Sequence, residues 1–193
     1  TWKDDHNAWK TGGGGIWQTG SYDPVTKLYI VGTGNPVPIY DPQFRPGDNL
    51  WTDSTIALDA DSGKIKWGFQ HTPNDPYDYD SVSENTFVDT QVNGKFVRST
   101  LHANRNGYAY ALDRKTGECL WGTQFVDKLN WSGGLDSKCK PKAYNAKSDV
   151  QTHSCGGHAI DASMQHRIIL HIVIEYGDKD TEHRRPRHER HKR

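Results

Sequence analysis

The 193-residue sequence predicts an all-β protein: a partial β-propeller of about two to three four-stranded blades, followed by a disordered C-terminal tail. Three features predict it. The stretches "ALDADSGKIKW" at 57–67 and "ALDRKTGECLW" at 111–121 share the frame A-L-D-x-x-[ST]-G-x-x-x-W, with their aspartates 54 residues apart. A repeat near 50 residues with several short strands per unit is the pattern of propeller blades, which bury their faces only against neighbours. Glycine (19) and tryptophan (7) are abundant, as turns and packed sheets require, and helical periodicity is nearly missing.

Within the frame, Ala-Leu ends one strand, Asp with Ser/Thr-Gly turns the chain, and the return strand ends on Trp. "SYDPVTKLYI" at 21–30 is a weaker third relative. Strands are expected near 16–21, 27–32, 54–59, 63–70, 85–91, 95–102, 107–112 and 117–125, and loops at 33–53, 71–83 and 127–157. Pro36, Pro38, Pro42 and Pro46 stiffen the first of those loops and exclude a central strand there. Residues 1–176 make the propeller piece, and 177–193 a basic tail with no periodicity.

Lys+Arg and Asp+Glu are both 24, which gives no whole-chain signal for nucleic acid. The last 16 residues hold seven Lys/Arg against four Asp/Glu, so the remainder is net acidic by three. The tail's modest charge density, opened by acidic residues, argues against a nucleic-acid partner. The longest apolar stretch, "IILHIVI" at 168–174, is strand-length and too short to span a bilayer, which leaves membrane association open. The start at "TWKDDHNAWK", without methionine, suits a piece of something longer. Of Cys119, Cys139 and Cys155, the last two lie in a loop-like stretch and are either paired or free thiols.

Four segments carry candidate chemistry. In "TPNDPYDYD" at 72–80, Pro76 disfavours helix, and in an extended chain Asp78 and Asp80 face one side while Tyr77 and Tyr79 face the other. Two carboxylates so close repel unless a cation sits between them, so a solvated loop and a hard-cation site are both open. Asn35 in "GTGNP" either caps a turn or offers its carbonyl to that cation. "GGGG" at 12–15 before Trp17 is a turn, or a place where backbone approaches a flat ligand with the indole as platform. Arg105 in "HANRNG" ends a strand, as a surface charge or a partner for carboxylate or ligand oxygens.

Taken in order, "TWKDDHNAWKTGGGGIWQTGSYDP", "GTGNP", "RPGDNLWT", "ALDADSGKIKW", "TPNDPYDYD" and "HANRNGYAYALDR" resemble the pyrroloquinoline-quinone (PQQ)-dependent alcohol dehydrogenases, the methanol and ethanol dehydrogenase group, over about residues 1–135. The resemblance implies an eight-bladed parent with Trp-ended hairpins. It implies that Trp17 stacks on the quinone, that Arg105 hydrogen-bonds the quinone oxygens, and that Asn35, Asp78 and Asp80 are metal ligands, with Asp78 also the general base. The "DYD" pattern matches members that use a lanthanide(III) ion, whereas calcium members have a small residue at the position of Asp80. An added anionic ligand suits a trivalent ion.

The implied reaction is oxidation of a small primary alcohol to an aldehyde in the periplasm, with electrons passing to a cytochrome c, in a full-length parent compatible with a homodimer. The family's metal-binding glutamate and vicinal cysteines would lie upstream of residue 1, and Ala159 stands where the family has an asparagine. An open set of blades leaves unpaired edges, so the isolated piece is expected to lack turnover. The alternative reading is a non-catalytic propeller scaffold that binds proteins, which would have no need of "GTGN" together with "DPYDYD".

Overall fold

The two copies of the repeated frame fold alike. A computed structural model describes residues 1–92 and 95–144. After a short 3-10 turn at Ala8–Thr11 come eight strands: β1 (Ser21–Asp23), β2 (Leu28–Gly32), β3 (Ser54–Asp59), β4 (Ile65–Gln70), β5 (Thr86–Val92), β6 (Lys95–Ala103), β7 (Tyr108–Asp113) and β8 (Cys119–Gln124). They form two four-stranded antiparallel meanders, β1-β2-β3-β4 and β5-β6-β7-β8, as expected of two blades. Asp59 ends β3 and accepts the Ser62 amide and hydroxyl at 2.9 and 2.7 Å, while Asp113 ends β7 and accepts the Lys115 and Thr116 amides at 2.9 and 2.8 Å. Each turn closes on a glycine in the left-handed region, Gly63 at φ +67° and Gly117 at φ +74°. Ala57 faces Trp67 and Ala111 faces Trp121, with the register shifting just after each alanine. The third relative follows suit: Asp23 accepts the Val25 amide and the Thr26 hydroxyl at 3.0 and 2.7 Å.

Ser54–Ala57 of β3 and Tyr108–Leu112 of β7 are buried without alternation, as in strands covered on both faces. The sheets meet through large side chains. Trp67 donates its indole N–H to the Arg114 carbonyl at 3.3 Å and lies against Gly117, where a Cβ would come within 2.5 Å of the ring. Arg114 pairs with Asp23 of the first sheet at 2.9 Å and with Asp89 of the second, and lies 4.6 Å over the Phe87 ring. Burial raises the Asp23 carboxyl, but the Thr26 hydroxyl, the Val25 amide and the Arg114 charge more than offset it. Deeper in, His71 and His102 stack at 4.7 Å, and Phe69 meets Tyr110 at 5.7 Å.

Seven strands fall where the sequence places them; the first does not. Residues 16–20 are not a strand, and β1 starts at Ser21. The Gly20 amide is taken by the Tyr29 hydroxyl at 2.9 Å rather than by a ladder, and the chain just upstream is tied to residues 34–36. Cys139 is bonded to Cys119 of β8, across a Cα–Cα distance of 6.1 Å, and so is neither a free thiol nor the partner of Cys155. The segment after β8 folds back over that strand, which brings Cys139 within 3.3 Å of a Cβ built on Gly122. Cys155, Ala159, the apolar stretch at 168–174, the boundary at 176 and the tail lie outside the described residues.

Candidate functional site

The glycine run at 12–15 lies against "GTGNP". Gly13 bridges to Pro36, the Gly14 amide donates to the Asn35 carbonyl at 2.8 Å, and the Gly34 amide donates to the Gly15 carbonyl at 2.9 Å. A Cβ on Gly13 would sit 2.8 Å from the Val37 nitrogen. The run therefore admits another backbone, which neither sequence reading had foreseen. Its effect is to set Trp17 against Gly34. A Cβ on Gly34 would come within 2.5 Å of the indole and 3.0 Å of Asp80 Oδ1. Trp17 is 56% exposed, a rigid platform open to solvent.

Asp78 and Asp80 arrive differently from the extended segment that the sequence suggests. Both have left-handed φ, +62° and +47°. The cause is Asp75, whose two oxygens accept the Tyr77 and Tyr79 amides at 2.7 Å each and curl the chain. The division of sides survives. Tyr77 and Tyr79 pack on each other at 5.1 Å and on Trp131 at 6.3 and 5.8 Å, while Asp78 stays half-buried. Asp80 is 8% exposed; its Oδ1 accepts the Asn35 backbone N–H at 3.0 Å and its Oδ2 meets Arg105 at 3.1 Å.

Arg105 stands at the tip of the β6–β7 turn between two asparagines that fix it. Asn104 accepts the Asn106 amide and donates to Ser81 Oγ at 2.7 Å, next to Asp80. Asn106 accepts the Tyr108 amide and donates to the His71 carbonyl, Thr72 Oγ1 and the Tyr110 hydroxyl. Its carbonyl takes the Trp131 indole N–H at 2.8 Å. One indole thus braces both the acid segment and the arginine turn.

The field at this spot is acidic. Burial raises the Asp80 carboxyl, the Asn35 amide lowers it, the Asp78 charge raises it again and Arg105 lowers it; the net shift is upward. Beneath lies a fully buried pair. Asp53 is pushed well above the carboxylate range by burial and by the charges of Asp75 and Asp80. As a carboxylate Asp53 meets no donor, whereas Asp75 accepts two amides, so burial weighs more heavily on the Asp53 charge. Arg45, fully buried, donates to the carbonyls of Pro38, Ile39 and Asp75 and to Asn49 Oδ1.

Trp17, Asn35, Asp80 and Arg105 are joined through bonds or contacts, and Asp78 is near enough to act on Asp80 electrostatically. The Asn35 link to Asp80 is through its backbone N–H, while its side-chain Nδ2 donates to the Pro36 carbonyl at 2.8 Å; carboxylate and carboxamide oxygens such as those of Asp78, Asp80 and Asn35 are the donor type that suits a hard cation. Among the described residues no three His, Cys, Asp or Glu side chains form a metal cage alone, so any such cation would need further oxygens. The sequence reading assigned no part to Asp53, Asp75, Asn104, Asn106 or Trp131. The N-R-N alternation and the Asp ahead of Pro are recognisable turn signals; Asp53 and Trp131 carry no local signal.

Residues 1–167 match the profile of the PQQ "Glucose/ethanol/alcohol dehydrogenase, beta-propeller domain" family. The quinoprotein alcohol dehydrogenase PedH of Pseudomonas putida is 47% identical over 148 residues, 77% of this chain and 24% of the relative. A lanthanide-dependent methanol dehydrogenase of Methylorubrum extorquens is 40% identical over 154 residues, 80% of this chain and 25% of the relative. Among solved structures, the quinohemoprotein alcohol dehydrogenase of Comamonas testosteroni superposes with TM-score 0.69 at 39% identity, over 74% of this chain and 22% of that one. A europium-containing methanol dehydrogenase gives TM-score 0.68 at 38% identity, over 74% and 24%. The chain spans about a quarter of the length of these relatives. With the repeat, the two sheets and the clustered Trp, Asn, Asp and Arg already in place, the chain belongs to the PQQ-dependent alcohol dehydrogenase β-propeller family.

Proposed function

We propose that this chain is the part of a PQQ-dependent alcohol dehydrogenase that supplies the general base, one stacking face and several cation ligands for oxidation of a small primary alcohol to an aldehyde. One observation carries the reading: the Asp80 carboxylate accepts the Asn35 backbone N–H on one oxygen and meets Arg105 on the other, beside the Gly34 on which Trp17 rests. A protein-binding scaffold would have no need of "GTGN" together with "DPYDYD".

The quinone, when bound, is the two-electron acceptor and the cation a Lewis acid. Trp17 offers its exposed face as one wall of the quinone site. Arg105 would hold the quinone oxygens, a task suited to a fork of N–H groups. Asp78, half-buried and open on one side, takes the alcohol proton. Asn35, Asp78 and Asp80 would hold the cation through side-chain oxygens. With two carboxylates in the set, a lanthanide(III) is favoured over Ca²⁺, and lanthanide-dependent methanol dehydrogenases among the relatives support this. Transfer of electrons to a cytochrome c and a periplasmic location follow from the family resemblance. The isolated piece is expected to be inactive.

The test is dye-linked alcohol oxidation by a full-length parent reconstituted with PQQ and either La³⁺ or Ca²⁺. Activity with La³⁺ that is lost in Asp80→Ala supports the reading. Activity that follows Ca²⁺ and survives Asp80→Ala removes the lanthanide assignment, and no activity with any metal removes the enzyme.

A further inference from the structure

Asp78 and Asp80 both hold φ angles that L-residues avoid, +62° and +47°, two positions apart. Each costs on the order of 1–2 kcal/mol without compensation. The compensation is visible. The Asp75 carboxylate is fully buried and accepts the amides of Tyr77 and Tyr79, at 2.7 Å each, one on each oxygen. Charge-assisted bonds from backbone N–H groups to a desolvated carboxylate are among the stronger hydrogen bonds in proteins. Between those two amides lies Asp78, half-buried, and just beyond them Asp80, close enough for the two carboxylate charges to act on each other.

Asp75 is itself fixed from behind. Its carbonyl accepts a bond from Arg45 Nη2, and that fully buried guanidinium also donates to the carbonyls of Pro38 and Ile39 and to Asn49 Oδ1. The proline-rich loop, Arg45 and Asp75 form one rigid support under the acid segment. On the far side the Tyr77 and Tyr79 rings are held by Trp131.

We propose that Asp75 is the positioning residue of the Asp78–Asp80 carboxylate pair: it acts through the amides of Tyr77 and Tyr79 to aim both acids at one point, and it binds no ligand itself. The inference rests on the reading that Asp78 and Asp80 hold a cation. It goes beyond that reading in naming a residue that never touches the ion and yet sets how tightly the ion is held.

The probe is Tb³⁺, titrated into the full-length parent and its variants and read by luminescence sensitised by indole, with unfolding followed by far-UV circular dichroism. Asp75→Asn replaces one acceptor oxygen with a donor facing an amide. It is expected to weaken Tb³⁺ at least tenfold while the β spectrum persists. Gly63→Ala, which strains a turn far from the acids, is expected to lower stability and leave Tb³⁺ affinity unchanged, which separates aim from stability. Wild-type affinity in folded Asp75→Asn overturns the proposal. Wild-type affinity in Asp80→Ala instead removes the cation reading beneath it, and the proposal with it. Should Asp75→Asn not fold, hydrogen exchange of the wild type decides. Tyr77 and Tyr79 amides protected at least a hundredfold over an unstructured peptide support the proposal, and unprotected amides overturn it.

Discussion

Arg105, from the turn of one sheet, meets Asp80, from the loop leaving the other, at 3.1 Å. The arginine side chain is 43% exposed and the aspartate 12%, so the pair is a half-open contact at the mouth of the site. Exposed pairs of this kind contribute about 0–1 kcal/mol to folding. Arg105→Ala is therefore expected to move the urea midpoint little, while equilibrium dialysis of PQQ against the full-length parent shows affinity down by about tenfold or more. A large stability loss with unchanged PQQ affinity would assign Arg105 to the fold instead.

Gly117 and Gly63 occupy the same position in the two repeats with nearly the same φ, +74° and +67°. Only Gly117 lies under a tryptophan: a Cβ there would meet Trp67 at 2.5 Å, while one on Gly63 meets nothing within 4 Å. Gly63→Ala should cost about 1–2 kcal/mol, the left-handed strain alone. Gly117→Ala should cost about 2–5 kcal/mol, because overpacking is added. Chemical denaturation of both variants gives the difference directly. Equal losses would mean that Trp67 does not hold the two sheets together through Gly117.

The contrast between these glycines also shows what the sequence could reveal. The frame A-L-D-x-x-[ST]-G-x-x-x-W is local, and turn, bulge and facing Ala–Trp pairs all follow from short-range rules, so seven strands and the blade repeat were legible. Residue type and local sequence mark Trp17, Asn35, Asp78, Asp80 and Arg105 as candidates and the resemblance supplies their roles; the bonds from the Asn35 backbone and from Arg105 to Asp80 join three of them. What stayed hidden depends on contacts across long separations. The strand expected at 16–21 fails because the glycine run joins residues 34–36. Asp75 looks like one more acid in an acidic loop until its burial is known. Cys119 pairs with Cys139 because the chain folds back over β8, which spacing cannot foretell.

The stacked pair His71–His102 predicts sensitivity to acid. Burial lowers both imidazoles, His102 from 6.5 to about 4, despite the Glu84 and Ser83 carbonyls that favour its charged form. The folded chain then binds fewer protons than the unfolded chain between about pH 4 and 6.5. Stability from His102 is complete above that window and falls as pH drops through it, by up to about 3 kcal/mol. Asp53 and Asp75, shifted upward, act in the opposite sense over part of the same range. Comparison with His102→Gln cancels them. Urea midpoints at pH 7.5, 6, 5 and 4.5 should fall more steeply for the wild type than for the variant, and parallel lines would contradict a neutral buried imidazole.

The bond between Cys119 and Cys139 closes a loop with a sequence separation of 20, and Trp131 lies within it. Closing a loop of this size in the unfolded chain is worth about 3 kcal/mol in the chain-entropy account. Trp131 has no exposed surface and touches Tyr77, Tyr79 and Tyr108, so loosening its segment should reach the acid loop as well as the second sheet. Cys119→Ser with Cys139→Ser is thus expected to lower the unfolding free energy by about 3 kcal/mol and to speed amide exchange at Tyr77 and Tyr79. Peptide mapping of the unreduced chain should recover residues 119 and 139 in one linked fragment. If that fragment is missing, or if the double variant unfolds at the wild-type midpoint, the bond does not brace the site.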